Sequence, residues 1–124
     1  MLVRSAIAQR MFGDAEVLVS AKHLLSLDGF EIVDDGKAVT YVHFLCDAHE
    51  VVFANGAPSE TLYTGPQALK VVSPVARAEI LAIFPELSDI DYRALSARKF
   101  VDGRRGHRLA VRHKHNCKAL LQLH

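Results

Sequence analysis

The spacing of apolar and polar residues changes about halfway along the chain. Up to about residue 65, short apolar or alternating runs are separated by turn signals such as Asp28-Gly29 and Asn55-Gly56, which is typical of β-strands joined by tight turns. The longest of these runs is Ala38–Cys46. The predicted strands cover residues 2–4, 16–19, 30–33, 38–46 and 51–54.

Beyond Pro66 the apolar residues recur at helical spacing. Ser73-Pro74 predicts a helix start, because Ser can accept an otherwise unpaired N–H and Pro tolerates the first helical position. Two more helices are predicted, one over 89–101 ended by Gly103 and one over about 107–123. We therefore expect a mainly β fold over residues 1–70 and a helical extension over 71–124, packed on the β part or following it.

The composition is that of a globular protein. Half of the 124 residues are apolar and the formal net charge is +1. The sequence contains no apolar run of the roughly 18 residues that a membrane span needs, and no signal peptide is recognisable. These features predict no contact with a membrane and leave the localisation open.

The small net charge conceals an uneven distribution. Residues 1–97 hold 13 Asp and Glu against 7 Lys and Arg, whereas residues 98–124 hold 8 Lys and Arg against Asp102 alone. Such a basic tail is most simply the solvated face of a helix, or it docks on its own acidic body. It could also bind an anionic partner. On this evidence nucleic acid is not the expected partner.

The stretch Tyr41–Thr61, YVHFLCDAHEVVFANGAPSET, is the most distinctive part of the sequence. On a straight strand His43, Asp47 and His49 would face one side, with His49 about 7 Å from Asp47. A carboxylate beside an imidazole fixes its tautomer, which suits acid–base chemistry. The alternative is two strands joined at Asp47 that carry surface histidines.

This stretch resembles the closing motif of Hedgehog/intein (Hint) domains. His43 and His49 occupy its two polar positions, and an apolar run and Asn55-Gly56 follow in the family's order. A second stretch, Glu16–Val33, is similar to another element of the family, so the resemblance covers about residues 1–66. It implies an incomplete Hint-like β fold in which His49, His43 and Asp47 are the candidate catalytic residues.

The resemblance also implies a reaction. In the family, the first residue, a Cys or Ser, attacks the preceding carbonyl and converts a peptide bond into a thioester or ester. A His in an upstream Ser/Thr-x-x-His motif assists departure of the amide nitrogen. This sequence opens with Met1-Leu2-Val3-Arg4, and no such motif precedes residue 16.

The expected protein is therefore a truncated autoprocessing domain that is inactive alone. Its expected partners are a missing N-terminal Hint segment or a host protein, and self-association is also expected because removal of strands exposes sheet edges. The alternative function is a small interaction module whose basic C-terminal helix binds an acidic partner or nucleic acid.

No cofactor or metal site is predicted. Cys46 lies within the predicted strand 38–46 and is interpreted as a small buried apolar residue. His113 and Cys117 have the i, i+4 spacing that a zinc site can use, but no paired Cys-x-x-Cys supports them.

Overall fold

The computed structural model describes residues 1–123, which form short strands and helices around one small core. The strands are β1 (Leu2–Arg4), β2 (Glu16–Leu18), β3 (Val51–Ala54), β4 (Ala57–Glu60) and β5 (Lys99–Phe100). The α-helices are α1 (Ala6–Phe12), α2 (Ala68–Val71), α3 (Pro74–Ile83) and α4 (Gly103–His115), and 3-10 turns cover Ala21–Leu24 and Pro85–Ser88.

The N-terminal unit β1–α1–β2 is built from local signals. The Ser5 hydroxyl caps α1 by accepting a hydrogen bond from the Ala8 N–H at 3.0 Å, which satisfies one of the unpaired N–H groups at the helix start. Gly13 ends the helix with φ 78°, a left-handed conformation that glycine adopts without penalty. The chain then returns as β2, antiparallel to β1 with Val3 opposite Val17.

Residues from the far end of the sequence complete this sheet. β5 pairs parallel to β2, with Phe100 opposite Leu18. On the other edge, Arg4 in β1 accepts a backbone hydrogen bond from Gln122 and donates one to Leu120. The two ends of the described chain are therefore joined through backbone hydrogen bonds.

Helix α4 packs against the unit formed by β1, α1 and β2. It begins where the Asp102 carboxylate accepts the Arg105 N–H at 3.0 Å. Its residues Leu109 and Ala110 are fully buried in the same core as Val3 and Val17. Gly106 faces Val19, and a Cβ added there would lie only 3.0 Å from a Val19 methyl group, so glycine permits this close packing.

The hairpin β3–β4 forms a separate two-stranded sheet. Its turn is Asn55-Gly56, with φ of 51° and 79°. Positive φ at both positions is the type I′ geometry that matches the twist of a two-residue hairpin. The predicted strand 51–54 and its turn are confirmed.

The prediction of a mainly β fold is wrong. Strands make up 14% of the chain and helices 34%, and the sheets have only two or three strands. The predicted strands at 30–33 and 38–46 do not form, because a strand exists only where another strand satisfies its backbone groups. Apart from a bond from the Leu62 N–H to the Phe44 carbonyl, the described residues provide the segment 38–46 with no cross-strand backbone hydrogen bond.

The helical predictions are partly confirmed. Helix α3 begins at Ser73-Pro74 as expected, with the Ser73 hydroxyl accepting the Ala76 N–H. The helix predicted over 89–101 is absent, and Gly103, expected to end it, instead opens α4 after the Asp102 cap. The pattern around 102–103 was a start signal rather than a stop signal.

The predicted division into 1–70 and 71–124 stays a prediction, but residues 99–123 share a core with residues 1–24. No helix among residues 1–123 is long and apolar enough to cross a membrane.

Candidate functional site

His49 precedes β3 and is held by partners on both ring nitrogens. Nδ1 accepts the Ala97 backbone N–H at 2.9 Å, and Nε2 lies 2.9 Å from a Glu60 carboxylate oxygen. Because a backbone N–H only donates, Nδ1 must be unprotonated, so in the neutral ring Nε2–H donates to Glu60. The structure thus fixes the tautomer of His49.

The His49 ring is shielded from solvent. Its side chain is 3% exposed, whereas that of Glu60 is 30% exposed. Phe100 stacks on the imidazole with ring centroids 5.7 Å apart, and Tyr63 packs at 5.2 Å in a tilted arrangement. The site therefore consists of a buried imidazole whose partner carboxylate reaches the surface.

The Met1 amino group lies in the electrostatic field of Glu60. It donates a hydrogen bond to the Val19 carbonyl at 2.9 Å and is partly buried. Burial lowers the pKa of this amine, because desolvation disfavours the charged form, and the Glu60 carboxylate opposes the shift. The geometry agrees, because β1, which begins at Leu2, packs against β4, which holds Glu60.

His43 and Asp47 are not assembled with His49 in the way the sequence suggested. Both are exposed and lie in irregular backbone, so the common face of a straight strand does not exist. Asp47 lines a cleft of about 230 Å³ together with His49, whereas His43 lines a different depression together with Glu60. Whether any of the three acts in catalysis stays a prediction.

Sequence reasoning missed the residues that hold His49. Glu60 lies eleven positions from His49 and Ala97 lies forty-eight away. The signal for Glu60 was present, because the antiparallel register that follows from the Asn55-Gly56 turn sets β4 beside β3. Nothing local indicates Ala97, since its contact comes from the return of the chain before β5.

A second buried histidine, His113, has a structural role. His113 Nε2 accepts the Ser5 hydroxyl at 2.9 Å, and His113 Nδ1–H donates to the Lys118 carbonyl at 2.9 Å. Since Ser5 Oγ also accepts the Ala8 N–H, the hydroxyl caps α1 and joins it to α4. Both side chains are buried, so this pair connects core elements.

The cysteines differ from expectation. Cys46 is exposed and outside any strand, so its interpretation as a buried apolar residue is wrong. Cys117 is exposed beyond the end of α4. Within residues 1–123 there is no group of three His, Cys, Asp or Glu side chains that could hold a metal ion.

The hydrogen bonds between His49, Ala97 and Glu60 determine which atoms of the site remain free for chemistry. A neutral imidazole with both nitrogens engaged has no free lone pair, and the Ala97 N–H and the Glu60 carboxylate hold the His49 ring in one orientation. Among the described residues Glu60 receives only the His49 bond on its side chain, so its carboxylate retains hydrogen-bonding capacity toward solvent.

Comparison with known protein families shows which family the chain is similar to. The family model described as "Hint domain" matches residues 1–66, which is more than half of the chain and includes β1 to β4. No curated protein and no solved structure matches.

Proposed function

This chain belongs to the Hint domain family, and we propose that it is the C-terminal part of a Hint-type autoprocessing domain that does not cleave by itself. In the proposed complete reaction a thiol attacks the preceding carbonyl, the C–N bond breaks, and the amide nitrogen leaves with a proton. Water or another nucleophile then resolves the thioester. The sequence has its first cysteine at position 46 and no Ser/Thr-x-x-His motif before residue 16.

The observation that carries this proposal is the buried His49 imidazole with its Glu60 partner, on a hairpin that packs against β1. An upstream segment joined at Met1 would continue from β1, which packs against β4. The scissile bond lies before the Cys of that upstream segment, so the proposal requires the segment to fold back onto the hairpin, where the oriented imidazole and carboxylate supply the proton transfer that departure of the amide nitrogen needs. The pair also lies within the matched residues 1–66.

We rank His49 first among the proposed catalytic residues, with Glu60 as the carboxylate that positions it. The ranking rests on burial, because a shielded and oriented proton-transfer group is more effective than one free in solvent. His43 and Asp47 follow, since both side chains are exposed.

Exposed apolar side chains support the proposed partner, an upstream Hint segment. Between residues 32 and 44, Ile32, Val33, Val39, Tyr41, Val42 and Phe44 are 66–83% exposed. So many exposed large apolar side chains close together in the chain indicate a binding surface or an aggregation risk. We propose that strands of the upstream segment pair with it, and that the isolated chain self-associates through it.

A fusion tests the proposal. The 124-residue chain is joined to an upstream Hint segment that supplies the Cys and the Ser/Thr-x-x-His motif, and cleavage before that Cys is followed by mass spectrometry. We expect cleavage, and we expect His49→Ala to slow it about 10²–10⁴-fold, the usual contribution of one positioned acid–base group. The isolated chain should give no thiol-dependent fragments.

Controls separate chemistry from folding. Glu60→Gln keeps an oxygen that accepts from His49 Nε2–H but removes the charge, so it should slow cleavage with little change in the melting temperature. His43→Ala is the exposed comparison and should have the smaller effect. A folded fusion that never cleaves, or that cleaves equally fast with His49→Ala, would refute the site.

A second function is favoured by one observation. The side of α4 that faces away from the core is exposed and basic, which suits an interaction module that binds an anionic partner. This function does not depend on cleavage, so both could belong to one chain.

A further inference from the structure

Helix α4 is rigidly placed and presents a regular row of arginines. Its core-facing residues Gly106, Leu109, Ala110 and His113 are buried. On the exposed part of the helix, Arg104, Arg108 and Arg112 recur every four residues, which is about 6 Å along the axis per step. We call these three residues the arginine row. The other exposed basic residues on the helix and just beyond it are Arg105, His107, Lys114, His115 and Lys118.

The acidic part of the chain does not neutralise the arginine row. Other cations of the C-terminal region form ion pairs: Arg98 with Glu16, Lys99 with Asp14 and Arg105 with Asp102. Within residues 1–123 no ion pair includes a member of the arginine row. The basic tail therefore does dock on the acidic part of the chain, through Arg98 and Lys99, but the arginine row takes no part in these ion pairs.

The row is also unfavourable for the isolated helix. Like charges at i, i+4 destabilise a helix by about 0.2–0.5 kcal/mol per pair. Cations near a helix C-terminus are favoured by the macrodipole, which accounts for Arg112 but not for Arg104 in the first turn. Helix stability alone thus gives no reason for the position of Arg104.

We infer that the arginine row binds the phosphate backbone of nucleic acid. Guanidinium groups form bidentate hydrogen bonds with phosphate, and a preformed helix loses little entropy when it docks. The only large apolar residue on the exposed side of α4 is Val111, 46% exposed, so this surface offers a partner charge rather than apolar burial. This inference rests on the second proposed function and is independent of the first.

Fluorescence anisotropy with a labelled duplex DNA and the full 124-residue chain tests the inference. Neutralising about three phosphates predicts a slope near −2.7 in log K against log salt, a loss of about 40-fold between 50 and 200 mM. The triple variant R104Q/R108Q/R112Q should bind at least tenfold more weakly at 50 mM salt. The matched control R10Q/K22Q/K70Q removes the same charge from exposed positions elsewhere and should stay within twofold of the wild type.

Every outcome is decisive. Circular dichroism checks that both variants have the same helix content. The inference is supported if the control variant binds the duplex more tightly than the arginine-row variant. Equal losses in both variants, or no duplex binding at 50 mM salt, refute it. If a poly-glutamate peptide binds while duplex does not, the inference fails but the second proposed function stands. Binding to neither refutes both and leaves the cleavage test untouched.

Discussion

Leu109→Ala tests whether α4 is an integral part of the fold or an appended helix. Leu109 is 0% exposed and packs in the same core as residues from β1, α1 and β2. Truncation of a buried leucine to alanine costs about 2.7–5.0 kcal/mol, through lost burial and the cavity that remains. We expect about 3 kcal/mol, a large part of the 5–15 kcal/mol that stabilises a typical domain.

The assay is urea unfolding followed by circular dichroism. With an m-value near 2 kcal/mol/M, the midpoint should fall by about 1.5 M without a change in slope. The matched control is Val111→Ala on the same helix, where the side chain is 46% exposed and the change should stay within about 0.5 kcal/mol.

The result that would refute the reasoning is a loss below about 1 kcal/mol for Leu109→Ala. It would mean that α4 unfolds separately from the N-terminal unit, as a simple division at residue 70 implies. Equal effects of the two substitutions would likewise show that helix propensity, and not core packing, determines the response.

Two further predictions concern charge and thiols. The carboxylate of Glu16 binds Arg98 and Arg4, and these bonds lower its pKa from the ordinary 4.5. A lowered folded-state pKa stabilises the fold above the unfolded value, so Glu16→Gln should cost about 1 kcal/mol at pH 7. The difference between the urea midpoints of wild type and variant should shrink as the pH falls below about 4.5, and a constant difference down to pH 3 would contradict this role. Cys46 and Cys117 are both exposed, so both should react with a thiol reagent within minutes in the native state; protection of Cys46 until urea is added would contradict its position.

The sequence alone determined those features of the fold that depend on residues close together in the chain. The Asn55-Gly56 dipeptide specified a two-residue turn, because both positions require positive φ, and Ser73-Pro74 specified the start of α3. The ordered motif from Tyr41 to Thr61 also identified the family, which the match over residues 1–66 confirms. The turn and the helix start depend on two adjacent residues each, and the family motif depends on the order of residues along the chain, so none of them needed tertiary information.

Only the tertiary structure decided where the strands form and how His49 is held. The segment 38–46 has a strand-like composition but remains irregular, since the described chain offers no neighbouring strand to satisfy its backbone. The Ala97 N–H reaches His49 only because the chain returns past the hairpin on its way to β5. Strand pairing and long-range hydrogen bonds depend on which residues distant in sequence come into contact. A local sequence pattern does not contain that information.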